Sequence, residues 1–525
     1  MFNKNKNSFF AFVLFYIPFT VVAQQLNYTL NRDYLQSIDS YYNNSDQSFQ
    51  TFVKPYRYVD ILKIADSSIF FNNSGSWQKL TNNKKKLLDF KCYPLLIGNA
   101  GFEEINKTPQ LDLGIGLNLL ANIGSKFSFN IKALTGKAIF SEYTNSLIGK
   151  TNVIPGIGFK YFNNGSSLPF SYQYYSGYVS YSPNKIINLQ LGKDKNFFGD
   201  GYRSLFLSDV AAPYPYFKIT TNIWHLTYVN LFTQFKDVIP SSGLKKDVLN
   251  KYATFHYLGW NVTKRINIGL FESIVWQGSD SNRHRGYDIN YLNPVLFFRP
   301  IEYSLGSSDN ACLGFSFKIK MFNKQQLYGQ VLLDEFLLKE MIARNGWWAN
   351  KYAFQAGFKS FDITTIKRLN FQTEFNYARP YTYTHGSVQQ NYSHLNQPLA
   401  HPLGANFMES ATFINYTYKR LFFEFKNVYA IFGEDNNGIN YGKNIFISYV
   451  NRPKEYGNYT TQGIRSTLIT TSLRAAYMIY VPMNLKLELG VLNRALWVPK
   501  EHTSLSPYIF IGLHTDLGNL YDDFF

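Results

Sequence analysis

Short runs in which apolar and polar residues alternate recur along most of this chain, and that period of two leaves few folds open. Phe127, Phe129 and Ile131 alternate with Lys126, Ser128, Asn130 and Lys132. Ile187, Leu189 and Leu191 alternate with Asn188, Gln190 and Gly192. Leu313, Phe315, Phe317 and Ile319 oppose Cys312, Gly314, Ser316, Lys318 and Lys320, and Leu485, Leu487, Leu489 and Val491 oppose Lys486, Glu488 and Gly490. Leu369, Phe371 and Phe375 stand against Asn370, Gln372, Glu374 and Asn376 in the same way. Successive side chains of a strand point to opposite faces, so each run reads as a strand with one apolar and one polar face.

The chain opens with an export signal. Lys4 and Lys6 precede an apolar stretch at 9–22, and Val21-Val22-Ala23 supplies the small residue of a cleavage site. The stretch is short for a membrane span, which needs roughly 20 apolar residues. Gln24, not Cys, would open the mature chain, so no lipidated N-terminus is expected. No later segment is apolar enough for a transmembrane helix. Aromatic residues nevertheless make up 18% of the chain and charged residues only 17%. This combination points to an all-β fold, a transmembrane antiparallel β-barrel in the bacterial outer membrane, with lipid-facing apolar residues and aromatic girdles. A secreted β-sandwich or propeller is the soluble alternative, because a solvated sheet face alternates similarly.

The expected layout is a signal peptide at 1–23, a partly helical periplasmic or plug segment at 24–90, and the barrel at 91–525. Asn31-Arg32-Asp33 before Tyr34, Leu35 and Ile38 suits a short capped helix, and Lys84-Lys85-Lys86 a solvated loop. Turn signals stand at Asn163-Asn164-Gly165, Ser182-Pro183-Asn184, Ser241-Ser242-Gly243 and Asn436-Asn437-Gly438. Strands of ~10 residues with unequal loops predict roughly 14–18 strands. The last is expected at 508–513. The residues up to Phe524-Phe525 either form a tail or, from Leu517 on, complete that strand after a bulge. Cys92 and Cys312 are two separate small residues or, in an exported chain, a disulfide.

Four stretches carry more unusual residues than strands require. The first is Phe197-Phe198-Gly199-Asp200-Gly201-Tyr202-Arg203-Ser204, running on to Pro213-Tyr214-Pro215-Tyr216, which must be extended. The second runs from Tyr291-Leu292-Asn293-Pro294 to Arg299-Pro300-Ile301-Glu302-Tyr303-Ser304. The third joins Asp334-Glu335-Phe336 to Gly346-Trp347-Trp348-Ala349-Asn350-Lys351. The fourth joins Ala378-Arg379-Pro380-Tyr381-Thr382-Tyr383 to Asn396-Gln397-Pro398-Leu399-Ala400-His401. In combination, over about 185–410, they resemble the Wzi-like capsule-assembly family of outer-membrane proteins, and most closely its gliding-motility RemB-like branch. The resemblance implies a non-enzymatic barrel with an N-terminal helical segment that holds or organises surface polysaccharide. In the gliding branch it also implies motility or adhesin partners. It transfers no established set of sugar-binding residues.

Read by chemistry, a sugar site needs an aromatic platform with amide, carboxylate or guanidinium groups beside it. Trp347 and Trp348 near Asn350 and Lys351 offer this, as do Tyr381 and Tyr383 near Arg379, and Tyr202 with Arg203. Arg203, Arg299 and Arg379 are suited to clamp the carboxylates of an anionic polymer. The plainer alternative is an interfacial girdle for the aromatics and lumen ion pairs for the arginines, such as Arg299 with Glu302 or Asp309. The net charge of +17 points, outside the cytoplasm, to lipid phosphates or anionic polysaccharide rather than nucleic acid, or else reflects only a compositional bias toward Asn, Lys, Phe, Tyr and Ile. There is no Gly-x-Ser-x-Gly elbow, metal-ligand spacing or phosphate loop, so no enzyme, metal or cofactor is expected. The weak acid–base candidates are His284, His401 and the acids Asp334, Glu335 and Glu340. The competing function is a channel with a basic, anion-favouring lumen.

Overall fold

The computed structural model describes residues 25–44, 48–62, 88–103, 107–163, 166–238, 248–279, 285–295, 309–436, 438–499, 503–515, 518, 519, 521 and 523. The export signal, Lys84-Lys85-Lys86, Ser241-Ser242-Gly243 and Phe524-Phe525 lie outside the described residues.

The alternating runs close into a barrel of eighteen antiparallel strands, the upper end of the expected range. Each strand pairs with its sequence neighbours, and the last, Ser504–His514, closes on the first, Leu88–Glu103, from Ile97↔His514 to Glu103↔Tyr508. Closure leaves no unpaired sheet edge, as a hydrocarbon surround requires. The outer wall is apolar: Leu113, Ile115 and Leu117 are exposed on one strand, and Leu487, Leu489 and Val491 on another. Their alternates turn inward. Asn118, Glu488 and Lys486 are buried, as are Ser316, Lys318 and Lys320. Among the described residues no helix is long and apolar enough to cross a membrane.

The two ends of the barrel differ. Turns at the end where the first barrel strand opens and the last one finishes are brief (224–225, 262–265, 322–324, 419–420), whereas the connections at 140–165, 195–213, 334–351, 379–406 and 435–463 lie at the other. Short turns mark the periplasmic end and long loops the outer one. The turn at Ser182-Pro183-Asn184 stands where the sequence signals it, between strands ending at Tyr181 and opening at Ile187.

The lumen is filled from both ends. From the periplasmic side, helix α1 (Arg32–Asn44) enters with its first turn held by Asn31, whose side-chain oxygen accepts from the Asp33 amide at 3.0 Å. Its polar face meets the charged strand positions. Asp33 pairs with Arg474 at 2.7 Å and Lys486 at 3.0 Å, Asp39 with Lys359 at 2.6 Å, and Arg32 with Glu424. Residues Val53–Lys54 then pair as a short strand with Phe197–Phe198 of the 195–213 loop, which has folded inward from the outer side. Around this junction Phe52, Phe198, Leu207, Tyr257 and Phe271 form one buried core. Phe206 stacks on Phe271 at 4.5 Å, lying over Gly314, where a Cβ would stand 2.5 Å from the Phe206 ring. Much of the polar face predicted for a wet lumen therefore meets protein, although a cavity lined by Glu424, Lys426, Arg474 and Glu488 remains beside α1.

The tail does not complete the last strand. That strand ends at His514, and the described tail residues turn back into the lumen. The Tyr521 hydroxyl donates to Asp209 at 2.5 Å, and Asp523 accepts from the Tyr202 hydroxyl at 2.7 Å. Inside a filled barrel, pairing with buried cations and hydroxyls outweighs one more edge of sheet for these polar residues. No disulfide joins Cys92, which is exposed, to Cys312, which is buried.

Because Asp33 neutralises two cations, Asp33→Asn is expected to loosen α1 by about 1–3 kcal/mol. Planar-bilayer recording checks this. Wild type should show no porin-sized steps, and the variant should show transient openings; a variant as silent as wild type would mean α1 is held by other contacts.

Candidate functional site

At the outer mouth three loops lock together. In the 334–351 loop a short helix, Leu338–Ala343, ends at Arg344 in the left-handed conformation, and Gly346 (φ 70°) turns the chain toward Trp347. A Cβ at Gly346 would stand 2.7 Å from the Asn458 nitrogen, so the close approach of the 435–463 loop needs glycine there. Backbone bonds tie the two loops: Gly457 N donates to Asn345 O at 2.8 Å, Asn458 N to Gly346 O and Trp348 N to Glu455 O, both at 2.9 Å. Arg379, opening the 379–406 loop, donates to Trp347 O at 3.4 Å and Asn458 O at 3.3 Å.

These ties gather a set of rings and cations. Trp348 lies 4.7 Å from Tyr449 and 6.4 Å from Trp347, with Tyr381 edge-on at 6.1 Å. The Arg452 guanidinium sits 4.0 Å over Trp348, and Lys351 Nζ 4.7 Å from the centre of Tyr449. Trp347, Trp348 and Tyr449 are half-buried, while Tyr456 (53% exposed) and Tyr459 (61%), the latter under Lys454 Nζ at 5.5 Å, are exposed on the 435–463 loop. The cations are not bare. Lys351 pairs with Asp334 at 3.6 Å and Glu335 at 3.3 Å, and Arg452 with Glu455. Burial, countered in part by Lys351, lifts the Asp334 carboxyl to about 6.

The eight residues singled out in the sequence thus separate. Trp347, Trp348 and Arg379 come together at the mouth. Tyr381 is buried beneath them with its hydroxyl on Asn440 O at 2.9 Å. Tyr383 is buried deeper, stacked 5.5 Å from Tyr392 and bonded to Leu205 O. Tyr202 and Arg203 lie inside the barrel. Arg299 is outside the described residues, and Asp309, its suggested partner, is held bidentately by Arg285 at 2.8 and 2.9 Å. Tyr449 and Arg452 escape the sequence reading because the 435–463 loop carries no dense phrase; only its Tyr and Arg content signals them.

The buried Arg203 centre joins four parts of the chain. Its guanidinium meets Glu409 at 3.0 Å and Asp523 at 3.1 Å, while the amides of Tyr202 and Arg203 donate to Glu374 at 2.7 and 3.0 Å. His401 Nε2 is 2.7 Å from Glu409, and its Nδ1 accepts from Leu403 N at 3.2 Å. Burial opposes the Arg203 charge, but Asp523 and Glu409 outweigh it and hold the group well above its ordinary range. Asp523 is held below the usual carboxylate range: its own burial works against this, but Arg203 and Lys426 outweigh it. Burial pushes His401 down despite Glu409, and burial with Lys251 nearby takes His394 to about 3. The centre has the features of a clasp between loop, wall and tail. The Tyr291-Leu292-Asn293-Pro294 phrase is likewise packed, with Tyr291 4.8 Å from Trp276 and its carbonyl accepting from Thr254. Among the described residues no group of His, Cys, Asp and Glu is arranged to hold a metal.

These shifts fix the sign of the pH response. The depressed histidines are neutral when folded, so their contribution to stability falls from about pH 6.5 downward, offset in part between about pH 6 and 4 by the raised Asp334 carboxyl. The depressed carboxylates Asp523 and, at the α1 end, Asp33 add a steeper loss below about pH 4. The heat-modifiability midpoint, measured from pH 8 to 3, reads both stages; a midpoint that rises on acidification would contradict the assignment.

No family model matches the chain, and no characterised protein matches it in sequence. Among solved structures it is similar to Wzi of Escherichia coli, described as an outer-membrane protein involved in group 1 capsule assembly and a carbohydrate-binding β-barrel. The likeness covers 95% of this chain and 100% of that one, with a TM-score of 0.59 at 14% identity. OpdK of Pseudomonas aeruginosa, solved with vanillate, covers 81% of this chain and 98% of its own at 9% identity, TM-score 0.45. OprD of the same organism covers 83% and 95% at 11%, TM-score 0.44. At these identities the likeness is one of fold: an outer-membrane β-barrel.

Proposed function

We propose that the chain is a non-enzymatic outer-membrane barrel that attaches or organises surface polysaccharide through its outer loops. The observation that carries this reading is the mouth itself, where Trp347, Trp348, Tyr449, Tyr456 and Tyr459 gather beside Arg379 and Arg452 above a filled lumen. Aromatic faces take the apolar faces of sugar rings, and the flanking guanidinium and amide groups read hydroxyls or carboxylates. Tyr202, Arg203, Tyr381 and Tyr383 act from below, fixing the loops that carry the platform. The carbohydrate binding described for Wzi supports the same reading. The filled interior favours it over the channel reading, and Asp334, Glu335 and His401, being tied in pairs, offer no free acid–base couple. The link to gliding motility or adhesin partners rests on the sequence phrases alone.

The test is polymer retention by cells. Deleting the chain should release surface polysaccharide into the medium while total synthesis stays constant, and re-expression should restore it. Unchanged retention in the deletion strain would remove the proposal.

A further inference from the structure

The positive charge of this chain is placed unevenly. In the outer loops acids are interspersed among the cations: Lys351 pairs with Asp334 and Glu335, Arg452 with Glu455, and Arg285 with Asp288 and Asp309. The periplasmic turns are different. Lys264-Arg265, Lys367-Arg368 and Lys419-Arg420 form three exposed cation pairs, each at a strand end. Lys126, Lys185 and Lys324 tip three further turns and are exposed too. Among the described residues of these turns the only acid is Asp362, which lies 3.7 Å from Lys324.

Rings accompany the cations. Trp224 is 80% and Phe322 75% exposed, and Tyr418 and Tyr480 also stand out at the same rim. Such rings favour the level where hydrocarbon gives way to headgroups. The cations beside them therefore sit at the depth of lipid phosphates, directly below the apolar wall. A solubilising surface would need neither the rings nor the near-absence of acids.

We infer that this rim is a cationic belt that binds anionic phospholipid headgroups of the periplasmic leaflet. The belt gives the barrel a fixed depth and orientation, and it accounts for positive charge that the outer sugar platform does not use. It rests on the membrane placement of the barrel and not on the sugar reading, so either can fail alone. Each cation near an anionic surface contributes about fivefold in partition, and the effect fades as salt shortens the screening length.

The experiment is native mass spectrometry of the full mature chain released from bilayers of mixed phosphatidylglycerol and phosphatidylcholine. Wild type should retain phosphatidylglycerol over phosphatidylcholine by about fivefold or more. The preference should disappear in the variant Lys264→Gln, Arg265→Gln, Lys367→Gln, Arg368→Gln, Lys419→Gln, Arg420→Gln, and fall for wild type in high salt. The outer-loop variant Lys339→Gln, Arg344→Gln, Lys454→Gln should keep it. Equal retention of the two lipids by wild type overturns the inference, as does a preference abolished only by the outer-loop variant. Should the six-fold variant fail to fold, the salt series on wild type decides, a salt-insensitive preference counting against the belt. Sedimentation of wild type with purified cell-wall sacculi, lost in the six-fold variant, together with equal lipid retention, would assign the belt to the wall polymer instead.

Discussion

Arg203→Ala is expected to destabilise the barrel by about 3–5 kcal/mol, the usual cost of removing one partner from a buried charge cluster. Glu409, Asp523 and Glu374 converge on this one guanidinium and its backbone, and all are nearly inaccessible. Without it, Glu409 and Asp523 remain buried with one cation, Lys426 (3.9 Å from Asp523), and the neutral donors Asn376, Tyr202 and His401 beside them. They must take up protons or move toward water, and either outcome unseats the 195–213 loop and the tail together. Heat-modifiability on gels measures the shift, and protease access to the tail reports the unseating. Arg203→Lys should recover part of the loss, because a lysine keeps the charge but not the fork that reaches Glu409 through two nitrogens. A wild-type midpoint in Arg203→Ala would show that the cluster does not clasp these elements.

The paired substitution Trp348→Ala, Tyr449→Ala is expected to weaken polysaccharide binding by tenfold or more, as truncation of clustered aromatic anchors does at other recognition surfaces, where each is worth roughly 2 kcal/mol. Barrel abundance should be unchanged. The two rings are half-buried loop residues, and the wall beneath them is built from other contacts. Tyr456→Ala, Tyr459→Ala removes only exposed rings and should leave folding untouched while lowering affinity less. Trp347→Ala, Trp348→Ala tests the same platform from its other side. Full binding by all three variants would move the site away from this mouth.

The wall was legible because a strand facing lipid on one side and protein on the other must alternate. Leu313 to Lys320 and Leu485 to Val491 could not pack otherwise. The α1 start was legible from a local capping bond at Asn31. The interior was not. Inward loops and outward loops share the same polar and aromatic composition, since both meet polar surroundings, so residue type does not tell depth. Tyr202 and Tyr383 therefore looked like Trp348 in sequence but sit inside. Asp523 and Arg203, like Asp33 and Arg474, are far apart in the chain, and no local pattern couples them. The tail stayed open between two readings for the same reason: aromatic and acidic residues near a terminus suit either a last strand or a plug.

The most direct measurement is binding of the detergent-refolded mature chain to the organism's own surface polysaccharide, with unrelated neutral and anionic polymers as controls. Selective, saturable binding that Trp348→Ala, Tyr449→Ala weakens is the predicted result. A well-folded, heat-modifiable barrel that binds none of these polymers would contradict the account.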